Sequence, residues 1–454
     1  MVARQHQPRR SRFTTLLVTV SASALLAGTA LLPATSAVAA STPVQVGLFG
    51  AQDPTYDGAF RQSLGLLAYA AAGTTPPREA VGWLLAQQCA DGGFQAFRAS
   101  TKVACQKSDP VSFSGEDTNS TGIAAAALRA IGETAAADRA LAWVLAAQNT
   151  DGGFPYFVGG DSDANSTAVV VLGTNTAGLT PASVQSGGVS AAQFLTSLQI
   201  GCEGAATDDD GGFAFQSYGG PLVDSDAAAV QATLALSGKA LPLAAGTVTT
   251  DVPRATCPSS ASPTLGAAEL GAGHLARLLD AFAGAVPQFD YNTGSRIKGS
   301  VSTGDTAWAA LSLAAVGVGR TQLDSALAVI DAQPLKAAAR KGSSAAATTR
   351  ATDQPGLLAL AAMATKASGG STATVTAYVV RIGATMRVAP AAVSPTPSAT
   401  SSAGAASGAA GAGTDPLAQS GPTPMTPVLG AVGALLVLLG AAAVGTSRRR
   451  GAHA

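Results

Sequence analysis

The sequence predicts an all-α domain in which six inner helices alternate with six outer helices and close into a ring. Three observations point there. A helix-like stretch ends in glutamine and runs into an Asp-Gly-Gly-Phe turn three times: Gln88 to Asp91-Gly92-Gly93-Phe94, Gln148 to Asp151-Gly152-Gly153-Phe154, and Gln199 to Asp210-Gly211-Gly212-Phe213. Such a repeat marks units that each bury an apolar face only against their neighbours. Two kinds of helical segment alternate, one apolar on every side and one amphipathic. Aspartate opens the apolar kind and glycine follows four of its six members, as helix starts and stops require.

In chain order, residues 1–40 read as a secretion signal. Arg4, Arg9, Arg10 and Arg12 precede an apolar run from Leu16 to Leu32, and Ala37-Val38-Ala39 supplies a small-x-small cleavage site. The alternative is an amino-terminal anchor, which the cleavage site and the shortness of the run disfavour. The ring is expected over residues 41–388. Its inner segments are Asp57 to Ala72, Asp117 to Gly132, Asp163 to Gly173, Asp226 to Gly238, Asp305 to Gly317 and Asp353 to Ala367. Apolar all round means buried all round. The outer segments are Arg78 to Gln88, Ala136 to Gln148, Ser190 to Gln199, Leu265 to Ala283, Gln322 to Ala332 and Thr374 to Met386. Val81, Leu84 and Leu85, then Leu141, Val144 and Leu145, recur at helical spacing, so these helices keep one solvated side.

Residues 389–427 form a linker made largely of Ala, Ser, Gly, Pro and Thr, too poor in apolar residues to fold. It contains Leu417-Ala418-Gln419-Ser420-Gly421. A transmembrane helix is expected over 428–446 and a basic cytoplasmic tail with Arg448-Arg449-Arg450 over 447–454. The predicted protein is therefore exported and held at the cell surface with its ring outside.

Net charge is +0 and charged residues are 12% of the chain, which excludes an electrostatic case for nucleic acid. Four cysteines in an exported chain suggest two disulfides among three connectivities. Cys89 with Cys105 and Cys202 with Cys257 are favoured, because both pairs fall between helices. No metal is expected: the chain has no CxxC pair, and His274 on an outer helix reads as a surface side chain.

Gln-x-x-Asp-Gly-Gly-Phe after an outer helix resembles the QW-type repeat of the terpenoid cyclase, squalene cyclase and prenyltransferase superfamily, with Phe where cyclases commonly place Trp. The likeness covers Tyr56 to Met386 and implies an (α/α)6 toroid, a fold that transcobalamin and intrinsic factor also resemble. Physically, the glutamine can bond the last carbonyls of its helix, the glycines allow a tight turn and the phenylalanine plugs the seam between units. Leu417 to Gly421, followed by an apolar helix and arginines, resembles a sortase cell-wall sorting signal of the Leu-Ala-x-Thr-Gly type, with Ser420 in the threonine position. Sortase and the cell wall are the partners that this likeness implies.

Family chemistry is not supplied. Cyclases use Asp-x-Asp-Asp to protonate an alkene and aromatics to stabilise carbocations. Here Asp161-Ser162-Asp163-Ala164 and Asp224-Ser225-Asp226-Ala227 stop one carboxylate short, and aromatics are 5% of the chain. Zinc prenyltransferase chemistry lacks its histidine and thiolate. Asp208-Asp209-Asp210 lies in a repeat turn and reads as a solvated acidic loop, with a cation site as the rival reading. No catalytic residue and no cofactor are assigned. The expected site is a polar mouth where parallel inner helices start, with Asp117, Asn119, Asp163, Asn165, Asp226, Asp305 and Trp308 around it. Helix capping alone is the competing explanation of those aspartates. The resemblance implies a corrinoid-like or isoprenoid ligand there; a cyclase-like or carbohydrate-active enzyme is the alternative.

Overall fold

The residues described by the structure, a computed structural model, are 45–202, 207–257, 265–290, 295–332 and 354–389. The expected secretion signal, Asp353, the sorting-like pentapeptide, the expected membrane helix and the expected basic tail lie outside them. Within them the fold is all-α. The inner helices are α1 (Gly58–Ala72), α3 (Thr118–Ala130), α5 (Ala164–Thr176), α7 (Asp226–Leu236), α9 (Thr303–Val316) and α11 (Pro355–Ala367). The outer helices are α2 (Arg78–Gln87), α4 (Thr134–Leu145), α6 (Ala191–Ser197), α8 (Ala267–Ala281), α10 (Arg320–Asp331) and α12 (Thr372–Ala384). Each falls on a segment expected to be helical. The named strands are antiparallel pairs of two residues each, among them β1 (Phe154–Pro155) with β2 (Ser162–Asp163).

Small side chains let the inner helices approach closely. A Cβ on Gly173 would lie 2.5 Å from the carbonyl oxygen of Gly122, and one on Gly122 would lie 3.0 Å from Val170 Cα. Contacts run α1 to α3, α5, α7, α9, α11 and back to α1, and each outer helix packs on the inner helix before it. One hydrophobic cluster therefore spans all six inner helices, through Leu66, Ile123, Val171, Leu234, Leu311 and Leu360.

The repeat turns hold neighbouring units together. Gln88 Nε2 donates to Gly92 O at 3.1 Å and to Ala136 O in α4 at 2.9 Å; Gln148 reaches Gly152 O and Val184 O, and Gln199 reaches Gly211 O and Ala267 O. The expectation that the glutamine bonds its own helix is thus corrected: its amide spans the gap to the next unit. Phe94, Phe154 and Phe213 are fully buried. The first glycine of each turn adopts φ between +87° and +107°, a region that penalises a side chain.

Two further turns follow the same plan without the motif. A Cβ on Gly92, Gly152 or Gly211 would strike a carbonyl at or just before the next outer helix, and Gly284 and Gly47 stand the same way against Ser325 O in α10 and Glu79 O in α2. Val286 N donates to Thr306 Oγ1 as Phe94 N does to Thr121 Oγ1. Phe49 bridges to Met386 as Phe94 does to Gln88, so residues 47–49 supply the turn for α12. Residues 47–49 and α12 thus complete one unit. The disulfides are Cys89–Cys105 and Cys202–Cys257, as favoured. No helix among the described residues is long and apolar enough to cross a membrane.

Candidate functional site

Asp117 and Asp163 each precede an inner helix in extended conformation, and their Oδ1 atoms accept from Ser120 N at 2.6 Å and Ser166 N at 2.7 Å. Both are true caps. Burial pushes each carboxyl up to about 7, outweighing the amide hydrogen bonds that favour the charged form. Tyr156 sits by both, and its hydroxyl is raised by burial and then by these two carboxylates.

The other two aspartates are placed differently. Ser225, whose Oγ accepts from Ala228 N, caps α7, so Asp226 is its first helical residue. Asp226 instead accepts from Arg296 Nη2 at 2.8 Å and Nε at 3.0 Å. Asp305 is the third residue of α9 and accepts from Ser302 Oγ at 2.6 Å; burial raises it to about 6. The expected caps at these positions are corrected. A serine just upstream takes the cap position at α7 and starts α9, and the aspartate turns to a side-chain partner.

The amino ends of α3 and α5 meet, and a residue in the second turn of α7 joins them. Asn119 Nδ2 in α3 donates to Asn165 Oδ1 in α5 at 3.3 Å, and Asn165 Nδ2 donates to Gln231 Oε1 in α7 at 2.6 Å. The pairing of second residue with second residue is what parallel helices produce. Trp308 in α9 meets Phe60 in α1 edge to face, ring centroids 6.5 Å apart. These helices are not adjacent in the cycle of contacts, so the two rings reach past α11. Gln231 was not expected here, although it is the long polar residue inside the otherwise apolar α7.

His274 overturns its surface assignment. It is 1% exposed, with Nε2 3.3 Å from Asp224 Oδ2 and Nδ1 3.1 Å from Asp208 O. Asp224 is also paired to Arg296. Burial would raise the Asp224 carboxyl, but His274 and Arg296 overcome it and hold the group below its ordinary range. Ligand atoms of Asp224, Asp226 and His274 lie within 4.8 Å of one another and could hold a cation, but the Arg296 guanidinium already supplies positive charge there. The Asp208 to Asp210 run is not a freely solvated loop. Asp209 pairs with Arg296, and buried Asp210 accepts from Thr207 N and Oγ1, each at 2.8 Å. Two open clefts flank this turn, one of about 440 Å³ lined by Ile200, Cys202, Asp209 and Asp224.

In two units the residue before the capping aspartate faces the aspartate of the preceding turn. In the second unit Ser162 Oγ donates to Asp151 at 2.8 Å. In the first unit Glu116 meets Asp91, and Lys107 bridges both. Burial, then the neighbouring Asp91, raises Glu116 to about 7. The turn aspartates Asp91 and Asp151 thus hold local structure, each also accepting from the backbone N–H of the second turn glycine.

Loops above the inner helix starts carry exposed apolar side chains, including Val111, Phe113, Tyr218 and Val223. The Tyr218 hydroxyl is fixed to Gln216 Oε1 at 2.9 Å, and Phe113 packs edge to face on Phe157.

No family model matches the chain, and no curated protein matches it. Among solved structures it is similar to a crystal structure of a protein from Actinoplanes, with 18% identity over 62% of this chain and 72% of that one, and a TM-score of 0.36.

Proposed function

We propose that this protein is an exported (α/α)6 toroid, held at the cell surface by its carboxy-terminal segment, that binds a ligand or partner at the mouth formed by its inner helix starts and performs no chemistry. The observation that carries the reading is the row Asn119, Asn165 and Gln231, linked by side-chain hydrogen bonds across three inner helices. Capping does not account for this row, because Asp117 and Asp163 already cap α3 and α5. The raised carboxyls at Asp117 and Asp163 favour the rival, a general-acid enzyme, but burial of the two caps explains them in full.

Mass and absorbance of a methanol extract of the purified protein test whether it carries a ligand. Asp163→Ala should lose a cap, costing about 0.5–2 kcal/mol of stability, and weaken retention of the extracted material beyond that loss. Asp151→Ala should lower stability only. If Asp151→Ala alone abolished retention in a folded protein, the repeat turns would be the functional face. Deleting residues 428–454 should release the protein into the medium; cell-bound truncated protein would refute the anchor.

A further inference from the structure

We propose that the carboxamide row Asn119–Asn165–Gln231 recognises an uncharged secondary amide, whose N–H supplies the donor that the buried Asn119 oxygen lacks. The inference rests on the mouth reading above and adds the chemistry of its ligand.

A carboxamide offers an acceptor oxygen and a donor nitrogen. Three of them joined by two hydrogen bonds leave an acceptor at one end and a donor at the other, whichever way the row runs. Here the Asn119 oxygen has no hydrogen-bond partner although the residue is only 9% exposed. At the other end, Gln231 uses its oxygen for Asn165, which leaves its nitrogen as the terminal donor. A buried acceptor without a partner is costly, and a ligand donor would remove that cost.

Neither Asn119 nor Asn165 caps a helix, and the bonds that join α3, α5 and α7 still leave the Asn119 oxygen unpaired. Charge is already matched around them. Asp117 and Asp163 accept from backbone amides, Asp305 accepts from Ser302, and Arg296 is committed to Asp209, Asp224 and Asp226. An ion of either sign would find no free countercharge among these groups, whereas a secondary amide needs none. Peptide bonds and the acetamido group of amino sugars share this chemistry. Ser312 Oγ in α9 donates to Val230 O, next to Gln231, and to Trp308 O, so the Trp308 turn of α9 lies against the Gln231 turn of α7.

The test titrates the full-length chain with N-acetylglucosamine and with N-acetylalanine methylamide, using acetate and tetramethylammonium as charged controls, and reads tryptophan emission. Trp308→Phe locates the signal. A saturable change with one of the two amides is expected, and which one responds identifies the source. Asn119→Ala and Gln231→Ala should each weaken it about ten-fold, equivalent to about 1.4 kcal/mol, with thermal melting confirming the fold; either variant suffices if the other does not fold. Equal binding of a charged control, wild-type affinity in the folded variants, or no saturation by either amide overturns the proposal. If the methanol extract of the purified protein alters Trp308 emission while neither amide does, the mouth reading stands and the amide assignment falls. If none of them alters it, both fall.

Discussion

Glu116, Asp117, Asp163 and Asp305 all hold their protons to higher pH in the folded chain than in the unfolded one, chiefly because burial disfavours their charged forms. Across the interval from about pH 4 to about pH 7 the unfolded chain therefore binds fewer protons, and stability falls as pH rises. The carboxyls with lowered values, such as Asp224, act in the opposite sense only at more acid pH. The midpoint of urea unfolding should thus be higher at about pH 5 than at about pH 8. Asp163→Asn should keep most of the cap, since asparagine caps nearly as well, and should flatten this dependence; an unchanged slope would assign it elsewhere. Asp117 and Asp163 were legible because Asp-x-Asn-Ser-Thr before an apolar run is a local signal. His274 was not, because its partner Asp224 comes from a different segment and nothing near it in sequence announces burial.

At the scale of elements, the existence and order of the inner helices were legible, because a helix without a polar face has one place to go, but their ends were not: α9 starts before Asp305 and α5 runs past Gly173 to Thr176. Their spacing was not legible either. Gly122 and Gly173 look like ordinary helix glycines or stops, yet they set how closely α3 approaches α5. Gly173→Leu should destabilise by about 1–3 kcal/mol through overpacking, although glycine is the poorer helix former. Thermal melting at or above the wild-type temperature would mean that the pair can separate without cost. The turn at Gly284 escaped notice for a related reason. The backbone keeps the repeat, but alanine and valine stand where aspartate and phenylalanine define the motif.

For the molecule as a whole, one seam joins segments more than three hundred residues apart in the chain. Gly47 N donates to Arg387 O at 2.8 Å, Arg387 N donates to Leu48 O at 2.9 Å, and the Arg387 guanidinium reaches Gly50 O and Gln52 O. Phe49 is fully buried in a notch left by Gly65 and stacks on Tyr69. Phe49→Ala should cost about 3–5 kcal/mol and expose residues 45–50 to protease before the rest; cleavage elsewhere first would show that the seam is not the weakest joint. This seam was illegible in the sequence, because a repeat unit split between two distant segments leaves neither half long enough to recognise.

The same seam bears on how the protein would carry load. If the protein is tethered as proposed, the tether would act through residue 388, directly beyond Arg387, and tension would act first on the paired segments Gly47–Gly50 and Thr385–Arg387. The pairs there are few, but the Arg387 side chain fastens across them to two further carbonyls. Under traction the closing unit would be both the grip of the domain and its fuse, yielding while α3, α5 and α7 stay packed.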